Sequence, residues 1–361
     1  MRTRWGIVGC GDVTERKSGP GLQAASGSEV HAVMRRDAAK AEDYAWRHGV
    51  AMWTADLDTL LACEQVDAVY LATPPGNRID IANRIAAVGK PCYMEKPMAR
   101  NFAESLQIAQ IFSQARLPLF VAYYRRAYPR YQQVKALLEN NELGELSSVQ
   151  YLMRRRPQPA NGWRHDVAVS GGGLFVDVGS HLLDLLDFLL GPLKDVKGTA
   201  TRASSAPATA PEDVVVMNFT AGQAAAGCAI WNFRASDDFE SLELVGDRAR
   251  LVLPEPMNGS ECIIEFADGS PSRRWAVPPP CPAVQQPLIQ TVVDALQMGN
   301  PSLCLSTAES ALRTAKCIDV VLEDFYGPRE NDFWKDPSSW PVNTSCSEAR
   351  DVDEQSRPNK A

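Results

Sequence analysis

The chain has 361 residues, of which 45% are hydrophobic and 22% charged. That is too long for one ordinary core and average for a soluble protein of two domains. A formal net charge of −7 and a pI near 5.3 argue against a nucleic-acid or anionic-membrane partner, because either requires a concentrated positive field. A small-molecule ligand fits better.

TRWGIV (residues 3–8) reads as a short apolar strand running into GCGDVT, and after a Gly/Pro-containing helical stretch comes a second strand, EVHAVMRR. The chain enters this first strand almost at once and contains no run of about 18 apolar residues. We therefore expect no targeting peptide, no membrane span and a cytoplasmic setting. Next come a helix over 38–48, a strand VDAVYLAT (66–73), a helix over 77–88 and a strand PCYME (91–95). A helix over 102–114 and a strand LPLFVAY (117–123) complete five strands separated by helices. Such alternation implies parallel pairing with right-handed crossovers, so residues 1–122 are predicted to form an α/β Rossmann-type dinucleotide-binding domain.

The texture then changes. After a helix over 129–140, strands follow in close succession at 146–155, 194–202, 213–220, 223–233, 239–246 and 248–253. Strands without crossover helices indicate a mainly antiparallel open sheet. Helices over 176–190, 286–298 and 306–325 make residues 123–327 an α+β domain for substrate and oligomer contacts. Apolar residues on both sides of VVVMNF and AGCAIWNF leave one sheet face wanting a partner, so a homodimer or homotetramer is expected. Residues 328–361, rich in Pro, Ser and charge, are expected to be an extended tail with no core of its own.

Nine cysteines lie scattered with no C-x-x-C spacing, and no G-x-S-x-G occurs, so zinc, redox and serine-hydrolase sites lack their signatures. GCGDVT stands between a strand and a helix, where the first glycine makes the tight turn and the second admits a pyrophosphate; Thr14 replaces the expected Gly or Ala. In YMEKPMAR, Pro97 stops the strand at Lys96, which places Glu95 and Lys96 at a carboxyl edge, where open α/β sheets bind ligands. In GGGLFVDVGSHLLDLLDFLLG, Asp177, His181 and Asp184 fall at i, i+4 and i+7 and mark one polar face among leucines. A plainer reading is a solvent-facing stripe with His181 bonded to Asp177. The spacing also suits a metal pair, but the remaining histidines, His31, His48 and His165, suggest no further ligands, so no metal is expected.

Together, GCGDV after the first strand, ATPPGN after the third, EKP after the fourth and GGGLFVDVGSHLLD resemble the glucose-fructose oxidoreductase and inositol dehydrogenase (Gfo/Idh/MocA) family, over about residues 3–326. The resemblance implies a Rossmann domain followed by an α+β domain whose open sheet often mediates oligomers. It further implies hydride transfer between a nicotinamide and a secondary alcohol or ketone of a sugar or polyol. Lys96, Asp177 and His181 match the family's catalytic group, and the Lys96–Pro97 bond is expected to be cis. Gly9, Gly11, Asp12, Val13, Thr73, Pro74, Asn77, Glu95 and Lys96 would serve the cofactor, with Glu95 also a partner for backbone donors. A non-catalytic dinucleotide-binding regulator and an NAD-dependent glycosidase are the competing members of the family.

An imidazole with an ordinary pKa of about 6.5 suits His181 as base, Lys96 as a donor to the reacting oxygen, and Asp177 as the group that orients His181 or binds a neighbouring hydroxyl. Trp163 and Arg164, in the loop before the catalytic helix, and Tyr124 are candidate substrate contacts. The sequence departs from the family pattern at Arg78, at Tyr124 and at Arg35, which stands where NAD enzymes carry an acid for the ribose 2′-hydroxyl. Arg35 with Arg36 favours NADP(H) over NAD(H), since a guanidinium pairs with the 2′-phosphate; Asp37 reads as a helix cap.

Overall fold

The structure, a computed structural model, describes residues 2–159, 162–280, 283–330 and 332–343. Its first sheet comprises β1 (Thr3–Val8), β2 (Ser28–Met34), β3 (Met52–Thr54), β4 (Ala68–Leu71), β5 (Cys92–Met94) and β6 (Leu119–Val121). All five pairings are parallel, in the order β3-β2-β1-β4-β5-β6. Helices cover both faces, so β4 and β5 are buried at every position. The strand order reverses between β1 and β4, and the crevice at their carboxyl ends is where such sheets take ligands. Asp37 accepts a hydrogen bond from the Lys40 N–H at 3.2 Å and caps the helix Ala38–His48.

The second sheet comprises β7 (Leu146–Arg154), β8 (Lys194–Thr201), β9 (Val214–Ala221), β10 (Ala225–Asn232), β11 (Phe239–Gly246), β12 (Ala249–Pro254), β13 (Glu261–Phe266) and β14 (Arg273–Ala276). It runs β14-β13-β12-β11-β7-β10-β9-β8, antiparallel throughout except for the β7–β10 pair. Burial alternates along β10, with Ala225, Gly227, Ala229 and Trp231 inward, so one face is core and the other is open. Helices Ser180–Leu190 and Ala308–Tyr326 pack together on the inner side, and the second of these also touches helix Phe102–Gln114 of the first half.

The structure differs from the sequence reading in three places. The strands β3, β13 and β14 went unread: β3 and β14 are edge strands of three and four residues with no fully buried position, and β13 adjoins that edge. Helix Gln286–Gln297 returns to the first half and packs against helix Ser18–Ala24 and β1, so the chain recrosses a division at residue 122. Residues 328–343 are not an extended tail. Trp340, 1% exposed, packs edge-on against Tyr326 with ring centroids 4.7 Å apart, and its indole N–H donates to the Phe333 carbonyl at 2.9 Å. Three aromatics, Phe333, Trp334 and Trp340, anchor a segment whose average composition is polar; residues 344–361 lie outside the described residues. Among the described residues no helix is long and apolar enough to cross a membrane.

Candidate active site

The carboxyl edge of the first sheet and the inner side of the second enclose a cleft of about 320 Å³. Val13, Thr73, Glu95, Lys96, Tyr124, Trp163, Arg164, Asp177 and His181 all line it, although they come from six separate segments of the chain. Lys96 follows β5, and the Lys96–Pro97 bond is cis. Its ammonium donates to the Asp177 carboxylate at 2.5 Å and to the Asp177 carbonyl at 2.7 Å. The other Asp177 oxygen accepts from Arg164 Nε at 2.7 Å. Asp177 is therefore shared between two cations, which hold its pKa down at about 2 against the opposing effect of burial.

No hydrogen bond joins Asp177 to His181 among the described residues, which corrects the expectation that the carboxylate orients the imidazole. The reason is local: residues Phe175–Gly179 form a wide π-type turn before the α-helix Ser180–Leu190, and this breaks the register that stacks i over i+4. His181 instead lies 8% exposed between the rings of Tyr124 and Tyr123, with centroids 5.4 and 6.1 Å away, and its Nδ1 is buried without a partner. Burial first, then the nearby charges of Lys96, Arg125 and Lys17, push its pKa well below the ordinary 6.5. The imidazole is thus neutral at physiological pH, not poised at its usual midpoint.

That depression has a stability consequence. Between the folded pKa and 6.5 the unfolded state binds the proton that the folded state refuses, so stability is fully present above 6.5 and declines as pH falls below it. Thermal midpoints measured from about pH 7.5 to about pH 5 should fall more steeply for the wild type than for His181→Asn. Equal slopes would contradict it.

Asp184, the third polar residue of the stripe, is neither in the cleft nor in solvent. It is 1% exposed and accepts a bidentate pair of hydrogen bonds from Arg126, both at 2.8 Å. Glu95 is likewise buried and accepts from the Tyr70 hydroxyl at 2.7 Å, Gln285 Nε2 at 2.8 Å and the Lys96 N–H at 3.1 Å. Arg78, one of the departures from the family pattern, is 2% exposed and fastens the loop around Lys96. Its guanidinium donates to the carbonyls of Thr73, Glu95 and Pro97. Asn77 is exposed and does not reach the cleft, Pro74 is half-buried beside Thr73, and Asp12 pairs with Arg16 at the surface.

A model of the NAD-binding Rossmann domain of the oxidoreductase family matches residues 3–123, and the GFO/IDH/MocA C-terminal domain matches residues 131–252. An oxidoreductase of Formosa agariphila is 32% identical over 327 residues, covering 87% of this chain and 96% of its own length. The chain belongs to the Gfo/Idh/MocA family of oxidoreductases. Inositol 2-dehydrogenase of Rhizobium meliloti is 29% identical over 206 residues, which are 56% of this chain and 59% of that one. Among solved structures, a levoglucosan dehydrogenase in complex with NADH superposes with a TM-score of 0.78 at 19% identity, covering 90% of this chain and 96% of that chain. A 3-ketoreductase from Actinomadura kijaniata, in complex with TDP-benzene and NADP, gives 0.75 at 22%, covering 89% and 97%.

The residues of this Gfo/Idh/MocA chain fit a dinucleotide. Gly9 has φ +93°, and a Cβ there would meet Thr73 at 2.9 Å, whereas a Cβ on Gly11 would meet nothing nearer than 3.9 Å, so the loop leaves open space at its second glycine. Thr14, in place of the third, is fully buried and turns its hydroxyl onto the Gly11 carbonyl at 2.7 Å. The Thr73 hydroxyl at the cleft is buried without a partner. Arg35 reaches the same loop, donating to the Cys10 carbonyl at 3.1 Å, while Arg36 is exposed.

Sequence reasoning missed Lys17, Arg125, Arg155, Met257 and Asn258, all of which line the cleft. The dense run YYRRAYPRY (123–131) held a signal for Arg125. Nothing local marks Met257 and Asn258, which enter because Arg130, 2% exposed, gathers the carbonyls of Pro254, Glu255, Gly259 and Glu261 and so folds that loop over the cleft.

Proposed function

We propose that this Gfo/Idh/MocA oxidoreductase interconverts a secondary alcohol and a ketone on a sugar or sugar derivative, with Lys96 and His181 acting on the reacting oxygen and Asp177 positioning Lys96. The observation that carries the reading is the convergence of Lys96, Asp177 and His181 in one cleft that opens beside the Gly9–Gly11 loop. The relatives named above support the chemistry, since their names include an inositol dehydrogenase, a levoglucosan dehydrogenase and a 3-ketoreductase.

When bound, the nicotinamide supplies a carbon that accepts or gives the hydride. Gly9, Gly11, Val13 and Thr73 would hold the dinucleotide. The Lys96 ammonium has three N–H donors, and two are committed to Asp177. The third is left for the substrate oxygen, where a preorganised donor stabilises developing alkoxide charge by about 3 to 4 kcal/mol. His181, held neutral by its burial, takes the hydroxyl proton during oxidation and returns it during reduction. Because Asp177 stays ionised to about pH 2, the Lys96 ammonium keeps its counter-charge throughout the working range. Tyr124, Trp163 and Arg164 form the substrate wall.

The test is a panel of sugars, polyols and sugar derivatives assayed with both cofactors by nicotinamide absorbance. Net consumption of free cofactor supports the dehydrogenase. Turnover without net change identifies the glycosidase, and binding without turnover a regulator.

The reading includes a preference for NADP(H), supported by the position of Arg35 on the Gly-loop at the end of β2 and by the commitment of Asp37 to its helix cap. Charge-assisted bonds from one guanidinium to a 2′-phosphate are worth roughly a ten- to hundredfold preference. We expect kcat/KM to favour NADPH in the wild type and to swing towards NADH in Arg35→Asp; a wild type that favours NADH contradicts it. The reading also includes a cytoplasmic setting, consistent with seven unpaired cysteines among the described residues. A homodimer or homotetramer through the open sheet face completes it, since Val216 and Phe239 there are 38% and 43% exposed. Sedimentation at micromolar concentration should show an oligomer, and a monomer would count against that surface.

A further inference from the structure

The cleft is short of negative charge. Asp177 serves both Lys96 and Arg164, so these three groups together carry one positive charge. Glu95 also lines the cleft, but its oxygens are taken by the Tyr70 hydroxyl, Gln285 Nε2 and the Lys96 N–H, and Arg155 is matched by Glu240 at 2.6 Å. Two buried guanidiniums in the cleft lining have no carboxylate partner: Arg78, whose Nε, Nη1 and Nη2 are all taken up by the carbonyls of Thr73, Glu95 and Pro97, and Arg125, which is less fully engaged. It lies 8% exposed, with Nε and Nη2 donating to the Met257 carbonyl at 3.1 and 3.0 Å and Nη1 donating to the Tyr124 hydroxyl at 3.3 Å. Among the described residues no carboxylate stands within ion-pair distance of it. Its neighbour in sequence shows the usual arrangement: Arg126, 5% exposed, pairs with both Asp184 and Asp187. A buried guanidinium facing only neutral acceptors has lost its hydration without gaining a counter-ion. Three of its five N–H groups are engaged, which leaves two.

Arg125 belongs to the wall of the cleft formed with Tyr124, Met257 and Asn258, apart from Arg35 at the Gly-loop, so the cofactor's phosphates are not its partner. Resting on the reading that the cleft takes a sugar, we propose that the substrate is an acidic sugar whose carboxylate is bound by Arg125, with Arg155 and Arg164 steering it in from the rim. A planar carboxylate can accept two N–H groups of one guanidinium. Arg155 and Arg164, with side chains 31% and 49% exposed, remain in reach of solvent and suit the capture step. The carboxylate also brings negative charge next to His181, easing its protonation when the substrate is in place.

The experiment titrates the full-length protein, saturated with NADH or NADPH, with sodium D-glucuronate and sodium D-galacturonate, with D-glucose and D-galactose, and with D-glucose 6-sulfate, by calorimetry. At least one uronate should bind about tenfold or more tightly than its neutral parent. Added salt should weaken the uronate and leave the neutral sugar unaffected, a result that needs no variant. In Arg125→Gln the ratio should fall below about threefold, with Arg125→Lys intermediate and nicotinamide affinity unchanged in both. Neutral sugars that bind as tightly as uronates, no measurable uronate binding, or a ratio that survives Arg125→Gln each overturn the proposal. Tighter binding of the sulfate ester than of either uronate overturns the carboxylate assignment. Turnover of a neutral sugar in the same cuvette removes this proposal and leaves the oxidoreductase reading standing, whereas absence of nicotinamide binding removes that reading itself.

Discussion

His181→Asn and Lys96→Met should each lower kcat by at least about a hundredfold while leaving dinucleotide affinity nearly unchanged. Both side chains face the cleft where charge develops, and neither is needed to close the Gly9 loop. The two losses should differ in their pH dependence. With His181 removed the slope from proton transfer disappears, and with Lys96 removed it remains, because the imidazole is still present. In the wild type the acid limb of the oxidation profile lies below 6.5, since burial and the neighbouring cations hold the imidazole neutral. Combining the two substitutions should cost less than the product of the separate losses, as groups that serve one transition state act as a unit. Steady-state rates across pH, with cofactor affinity measured separately, check all of this. Full activity in either variant would remove the assigned roles.

The largest expected loss of stability is at Asp184→Ala. Arg126 is 5% exposed and receives its main compensation from Asp184 through two bonds of 2.8 Å, with Asp187 at 3.0 Å as the second acceptor. Asp187 in turn holds Arg313 at 2.7 Å, so it cannot serve Arg126 alone. Removing one partner of a buried pair leaves an uncompensated charge and costs about 3 to 5 kcal/mol. The double variant Arg126→Met with Asp184→Leu should recover most of that, since well-packed apolar residues of similar volume replace a buried pair at little cost. Urea midpoints of the two variants decide it: a single variant as stable as the wild type would show that the pair contributes nothing. The network joins the 124–127 turn to helix Ser180–Leu190, so its loss should also disturb His181, one turn earlier on that helix.

The sequence by itself determined the order of five of the six strands of the first half, because a strand buried on both faces must be an apolar run and the helix between two parallel strands must carry the crossover; β3, with no buried position, carries no such run. It also determined where Lys96 sits, since Pro97 ends the strand whatever surrounds it. The candidate set of Lys96, Asp177 and His181 was legible for a similar reason: polar groups among leucines at 182, 183, 185 and 186 require a specific use. Local pattern went no further than that. It assigned Asp177, His181 and Asp184 to one face, whereas a π-type turn and three different sets of partners separate them into a bridge between two cations, a neutral buried imidazole and a core ion pair. It left Arg125 and Arg126 as equals, although one ends against two carboxylates and the other against a carbonyl and a hydroxyl. Residues 328–343 read as a tail because composition averages over the aromatics that dock it. Charge compensation and docking are contacts between residues distant in the chain, and periodicity reports only the face a residue shares with its near neighbours. Only tertiary structure decides which groups meet across that face, and with them the pKa of His181 and the unmatched charge at Arg125.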